Sequence, residues 1–227
     1  MRPGRPSVAV LVPAGGIGTR MGGRTPKQFL RVGRAPILAM ALRHFAGHPA
    51  VVAIVVAAPA AHVARTRALV AARRRPTVSV VAGGGTRQES VWCALQAAPA
   101  EAEIVVVHDA VRPFISRGLI DAVVAAAADG GAAICALPIA ETVKRVRDGV
   151  VEATVERAGL WAVQTPQAFR MALLREAHEK ARRDGVTGTD DAMLVERLGH
   201  PVRVVPGLAA NVKITTPDDL RRARARR

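Results

Sequence analysis

From residue 7 to residue 138 the chain alternates two kinds of segment. Short blocks that are apolar at nearly every position, SVAVLVP (7–13), VVAIVVAA (51–58), TVSVVAG (77–83), EIVVVHD (103–109) and AAICALP (132–138), are separated by Ala/Leu-rich stretches with polar residues at helical spacing. A strand with one wet face alternates apolar and polar residues; a strand that is apolar throughout is buried on both faces. The blocks therefore predict strands of a parallel sheet. The intervening stretches, 37–48, 61–74, 87–98 and 117–128, predict the helices that cross over between them and cover both faces. This is an α/β architecture.

The rhythm changes at residue 141. ETVKRVRDGVVEATVER (141–157) places Asp148-Gly149 between two β-rich runs, and Asp-Gly is a favoured two-residue turn of a β-hairpin. A lone two-stranded hairpin is marginally stable in water, so this arm, at about 139–158, should pack on its own domain or on a second subunit. Beyond it the pattern predicts helices over 175–185 and 189–200, a strand over 201–207 and a last helix opened by TPDDL (216–220). The basic run 221–227 reads as a solvated, dispensable tail. No repeat or linker divides the 227 residues, which predicts a single domain.

Composition changes this picture little. The net charge of +15 invites a nucleic-acid-binding module, but tyrosine is absent and aromatic residues make up 3%, which leaves few platforms for stacking bases. The longest apolar run, VVAIVVAAPAA, is too short to span a bilayer as a helix and contains Pro59. Cys93 and Cys135 form no metal-spaced pattern, consistent with reduced thiols in a cytoplasmic protein. Neither a membrane nor a nucleic acid is expected as partner.

The chemistry is expected at strand ends, where open α/β sheets bind ligands. Directly after the first strand comes VPAGGIGTRMGGRTPKQFL (12–30), five glycines with Arg20 and Lys27 among them. It does not fit a dinucleotide fingerprint, because Met21 stands at the third glycine position. Nor does it fit a Walker A loop, because Arg24 replaces the lysine and Pro26 interrupts the helix that should follow. Glycine amides can still close around phosphates, with Arg20 and Lys27 supplying charge. Asp109 ends another strand beside Arg112, where a carboxylate could share a Mg2+ ion with nucleotide phosphates. AGGGTRQESV adds a second glycine loop with Ser90 at a helix start, and Lys213, one of only four lysines, lies in NVKITTPDDL.

Taken together, VPAGGIGTRM, PKQFL, GGGTRQESV, VHDAVRPF, ETVKRV, LWAVQTPQAF, TDDAMLVE and NVKITTPDDL resemble, in order from residue 8 to about 220, the 2-C-methyl-D-erythritol 4-phosphate cytidylyltransferase family. One departure is Gly85, where the family often has an acidic residue. The resemblance implies a Rossmann-like sheet, and a homodimer joined by the hairpin arm. It implies that CTP lies over Pro13, Ala14, Gly15, Gly16 and Gly18, with Gly84, Ser90 and Ala110 around the cytosine and ribose. Asp109 would serve a divalent cation, normally Mg2+, and touch both substrates. Arg20 and Lys27 would stabilise the transition state. Arg157 and Lys213 would position the acceptor, a polyol phosphate, with Arg112, Thr142, Thr165 and Thr189 completing its pocket. Arg157 and Thr142 flank the arm, so each would reach the partner subunit's site. Transfer to another polyol phosphate such as ribitol 5-phosphate, and a sugar-nucleotide pyrophosphorylase using another base, are the neighbouring alternatives.

Overall fold

The computed structural model describes residues 5–16, 25–71 and 76–226. In chain order its elements are β1 (Val8–Pro13), β2 (Arg31–Val32), β3 (Ala35–Pro36), α1 (Ile37–Ala46), β4 (Val51–Ala58), α2 (Val63–Val70), β5 (Thr77–Ala82), α3 (Arg87–Gln96), β6 (Ile104–Val107), α4 (Arg117–Gly130), β7 (Ala132–Pro138), β8 (Val143–Arg147), β9 (Val150–Val155), β10 (Trp161–Arg170), α5 (Met171–Arg183), α6 (Asp191–Glu196), β11 (Arg203–Pro206) and α7 (Pro217–Ala225).

Seven strands form the central sheet in the order β11-β7-β10-β6-β1-β4-β5. Pairings β1–β4, β1–β6, β4–β5 and β11–β7 are parallel, and β10 runs antiparallel to both its neighbours. Four of the five blocks read as doubly buried strands are so: along β1, Val8, Val10 and Val12 join one core layer while Ala9 and Leu11 join the other; the fifth, β5, is the edge strand, and only its Val80 is buried. The first layer packs the sheet on α1 and α4 through Leu38, Leu42, Phe45, Ile120 and Val123. The second packs it on α3, α5 and α6 through Val91, Leu95, Leu174 and Leu194. Burying such a Leu or Phe contributes about 2 kcal/mol each, which makes these two layers the main support of the fold.

Three differences from the sequence expectation affect the site. LWAVQTPQAF was read as a motif without a secondary structure; it is β10, inserted between β6 and β7. Proline cannot donate to a ladder, and the register accordingly shifts between Gln164 and Gln167, around Thr165 and Pro166. That irregularity turns Thr165 toward the end of β6. The helix expected over 189–200 is only Asp191–Glu196, opened by Asp190, whose carboxylate accepts from the Met193 amide. The basic tail is helical as far as Ala225; its described arginines are exposed, and of residues 221–226 only Ala223 is buried. Thr216 and Asp219 form a capping box, and α7 continues to Ala225 with Leu220 and Ala223 buried against Val32, Ile37, Val111 and Ile214.

The arm forms as its turn predicts. β8 and β9 pair antiparallel, and Asp148 and Gly149 have φ of 50° and 81°, the left-handed values a type I′ turn needs. Val146, Val150 and Val151 on it are exposed.

Candidate functional site

Because β1, β5 and β6 run parallel, their carboxyl ends meet at one edge of the sheet, and the loops that leave them wall a cavity of about 190 Å3. Backbone bonds carry the strand ladder into those loops: the Ala14 amide donates to the Ala57 carbonyl at 2.7 Å, and the Gly83 amide to the Ala58 carbonyl at 2.8 Å. Gln28, almost wholly buried, donates from Nε2 to the Ala14 carbonyl at 2.9 Å and fixes the glycine loop from behind.

The glycines are required by close approach. A Cβ on Gly15 would lie 2.9 Å from Ser90 Oγ, and one on Gly83 would lie 2.7 Å from it. A Cβ on Gly84 would lie 2.2 Å from that of Glu89, whose carboxylate closes the α3 capping box with Thr86. Ser90 thus spaces two bare backbones, and its hydroxyl donates to the Thr86 carbonyl at 2.9 Å. Gly85 is different: a Cβ there would meet only Glu89 Oε2, at 3.4 Å, so the fold does not demand glycine.

Pro13, Ala14, Gly15, Gly16, Gly84, Ser90, Asp109 and Ala110, the described residues expected around the nucleotide, all line this cavity, as do Lys27 and Lys213. Gly18 and Arg20 lie outside the described residues. Lys27 stands in a short 3-10 turn, with its Cε 3.8 Å from where a Gly16 Cβ would be.

A second cavity, of about 290 Å3, lies on the other side of Asp109. Arg112, Thr165 and Thr189 open into it, as expected of an acceptor pocket. Arg87, Asp109 and Lys213 belong to both cavities and form the wall between them. Thr142 and Arg157 line neither. They stand at the foot of the arm, where Arg157 Nη1 donates to the Ala140 carbonyl.

Asp109 is the electrostatic centre. Its Oδ2 is 2.9 Å from Lys213 Nζ and 3.5 Å from Arg112 Nε, and its Oδ1 is 3.4 Å from Arg87 Nε. Burial alone would raise its pKa, but Arg87 and Lys213 more than offset this and hold the carboxyl well below the usual range, so it is ionised. The Asp109 amide donates to Thr165 Oγ1 at 3.0 Å, and Thr165 Oγ1 is 3.2 Å from His108 Nδ1. Burial pushes the His108 pKa down to about 4, so the ring is neutral and can accept from Thr165 while Nε2 donates to the Arg112 carbonyl. Asn211, fully buried, donates to the Thr165 carbonyl at 2.8 Å and to Gln164 Oε1 at 3.2 Å. Arg112 Nη1 donates to the Asn211 carbonyl at 2.8 Å, tying the Lys213 loop to the strand-end aspartate.

The sequence pattern assigns no role to Arg87 in TRQESV and does not mark Gln28, Gln164, Asp191 or Asn211. The signal for Arg87 was its place one residue after a helix-capping threonine at a strand end. The others are polar residues inside apolar stretches, and nothing local distinguishes them from surface positions.

The model of the 2-C-methyl-D-erythritol 4-phosphate cytidylyltransferase family matches residues 8–226. The curated enzyme of that name from Symbiobacterium thermophilum is 49% identical over 217 residues, covering 95% of this chain and 91% of the relative. The one from Geobacter metallireducens is 45% identical over 219 residues, covering 94% of each. Among solved structures, 2-C-methyl-D-erythritol 4-phosphate cytidylyltransferase from Thermus thermophilus superposes with a TM-score of 0.80 at 40% identity, covering 96% of this chain and 98% of that one. A 4-diphosphocytidyl-2C-methyl-D-erythritol synthase from Anaerococcus prevotii gives 0.85 at 28% identity, covering 97% and 98%. The chain belongs to the 2-C-methyl-D-erythritol 4-phosphate cytidylyltransferase family.

Proposed function

We propose that the two cavities hold CTP and 2-C-methyl-D-erythritol 4-phosphate on either side of Asp109, and that cytidylyl transfer between them gives 4-diphosphocytidyl-2-C-methyl-D-erythritol and pyrophosphate. Family membership supplies the reaction. The observation that carries the assignment of sites is the shared wall of Arg87, Asp109 and Lys213 between a glycine-lined cavity and a threonine- and arginine-lined one.

An acceptor phosphate oxygen attacks the α-phosphorus of CTP. The new P–O bond forms as the bond to the bridging oxygen of the β-phosphate breaks, and pyrophosphate leaves. A phosphate monoester is already largely ionised near neutral pH, so no covalent nucleophile is needed. The difficulty is to bring two anions together, which calls for positioning and positive charge. Lys27 beside Gly16 and Lys213 on the dividing wall supply it, and Arg20, seven positions before Lys27 in sequence, would add to it. Arg112, Thr165 and Thr189 hold the acceptor.

Asp109 suits a Mg2+ ion. Mg2+ is commonly held by one or two carboxylates together with substrate phosphates, and Asp109 is an ionised carboxylate facing the glycine loop. When bound, the ion neutralises phosphate charge; the residues named above orient the substrates.

The unit is one nucleotidyltransferase domain working as a homodimer. Among the described residues the arm's strands pair only with each other, three of its valines are exposed, and Arg157 and Thr142 line neither cavity of their own chain. We place the enzyme in the cytoplasm, where Cys93 and Cys135 would remain thiols; no helix among the described residues is long and apolar enough to cross a membrane.

The test incubates the protein with CTP, Mg2+ and 2-C-methyl-D-erythritol 4-phosphate and measures pyrophosphate, with ribitol 5-phosphate and the other nucleoside triphosphates as controls. Release that needs both CTP and the methylerythritol phosphate is expected. No release, or faster release with ribitol 5-phosphate, would overturn the assignment.

A further inference from the structure

Behind the dividing wall Arg87 is backed by two buried groups, Asp191 and His178, that line neither cavity. Arg87 reaches Asp109 with Nε at 3.4 Å, a long contact, and reaches Asp191 Oδ2 with Nη1 at 2.7 Å, a short one. The other oxygen of Asp191 accepts from His178 Nε2 at 3.0 Å. Asp191 is 1% exposed and His178 is fully buried, and neither lines either cavity. Trp92, from the same helix as Arg87, stacks on the His178 ring with centroids 6.1 Å apart and planes 20° apart, and Arg182 covers Trp92 from 5.2 Å. Three helices, α3, α5 and α6, therefore converge on one guanidinium.

Two carboxylates compete for Arg87. If Asp191 were absent, the guanidinium would be free to close fully on Asp109, which lines both cavities. With Asp191 present, the shorter and more buried bond wins, and Arg87 is held back so that its contact to Asp109 stays long. His178 completes the arrangement by saturating the second Asp191 oxygen, which fixes the carboxylate's rotation. The Nδ1 atom of His178 has no hydrogen-bond partner among the described residues. His178 thus acts on Asp191 as a hydrogen-bond donor.

On the proposed reaction, we infer that Asp191 and His178 are positioning residues for cytidylyl transfer, acting through Arg87 on Asp109. Partners of this kind, one shell removed from the reacting groups, typically change activity about 10- to 100-fold. A merely structural role for His178 would weaken folding but would not depend on Arg87.

The experiment is a double-mutant cycle. Turnover with CTP and 2-C-methyl-D-erythritol 4-phosphate is measured for Arg87→Met, His178→Leu, the double variant and His178→Gln, each normalised to the number of CTP-binding sites. Arg87→Met should lose about 100-fold and His178→Leu about tenfold in kcat. The double variant should match Arg87→Met within about twofold, because His178 has nothing left to act through. His178→Gln, which keeps a donor at the end of a flat side chain, should recover to within about threefold of wild type. Losses that multiply in the double variant, or a His178→Gln protein no better than His178→Leu, would overturn the inference. If His178→Leu binds no CTP for want of folding, the near-isosteric Asp191→Asn takes its place in the cycle with the same expectation. A wild-type protein that releases no pyrophosphate would instead refute the reaction on which the inference rests, so the two failures are distinguishable.

Discussion

Lys213 Nζ lies 2.9 Å from Asp109 Oδ2, across the wall that both cavities share. The two residues stand 104 positions apart in sequence, and only the docking of the Asn211–Lys213 loop under Arg112 and Thr165 brings them together. Lys213 is half-exposed, so a cation that also offsets the charge of Asp109 remains open to an incoming phosphate.

Lys213→Ala should therefore lower kcat about a hundredfold, the scale of losing one preorganised charge at a transition state. Lys213→Arg should not restore it fully, because a planar guanidinium replaces a compact point charge. Steady-state pyrophosphate release measures both, and near-wild-type turnover in Lys213→Ala would remove Lys213 from the reaction.

The C-terminal helix yields an acid-sensitivity prediction. Asp219 Oδ2 accepts from the amides of Thr215 and Thr216 and from the Thr215 hydroxyl, each at 2.9 Å. Burial would raise its pKa, but these hydrogen bonds bring it down to about 2. Its folded pKa lies below the unfolded value, so its stabilisation is present above about pH 4 and is lost as pH falls toward 2. The group is largely open to solvent, and the effect is modest. Asp219→Asn should lower Tm at pH 7 and flatten its decline between pH 4 and 2. Thr216→Ala should cost about 1 kcal/mol through loss of the same cap. A Tm profile of Asp219→Asn parallel to that of wild type across this window would show that the carboxylate contributes nothing.

Truncation after Leu220 tests the packing of the tail. It removes buried Ala223 and the bonds from Arg224 Nε to the Arg31 carbonyl and from Arg226 Nη1 to the Ala210 carbonyl, both at 3.2 Å. It also leaves too few residues for a helix to persist. Tm should fall by several degrees, for a loss of roughly 1–2 kcal/mol. Turnover at 25 °C should survive, since neither cavity is lined by residues 221–226. An unchanged Tm would return the tail to solvent.

The tail also shows where sequence runs out. A like-charge terminus reads as solvated, and its described arginines are exposed, but LRRARARR also carries Leu220 and Ala223, which share the buried face of α7. The inner strands β1, β4 and β6 were legible because burial on both faces leaves an unbroken apolar block. Strand β10 was not, because WAVQTPQAF carries a proline and three other polar positions where Thr165 and Gln164 turn toward the site. The Asp148-Gly149 turn was legible because it is local. The Arg87–Asp191 pair, 104 residues apart, was not, because no local pattern encodes a partner on another helix.

The last prediction concerns the arm. Val146, Val150 and Val151 are 54%, 70% and 56% exposed, an unusual state for β-branched residues on a paired hairpin. Arg157 at its foot faces neither of its own chain's cavities. If two arms cross about a two-fold axis, each valine face is covered and each Arg157 is carried to the partner's acceptor pocket. Lys27→Ala and Arg157→Ala, each inactive alone, should then complement when mixed. Random pairing gives about half mixed dimers, and each of these has one site with both lesions and one intact site, so roughly a quarter of wild-type activity should return. Exchange is followed with differently tagged chains and activity by pyrophosphate release. Tagged heterodimers that form but stay inactive would mean that Arg157 serves its own subunit, and the crossed arm would be wrong. A protein that sediments as a monomer at assay concentration would refute it more directly, since the exposed valines would then have no second copy to cover them.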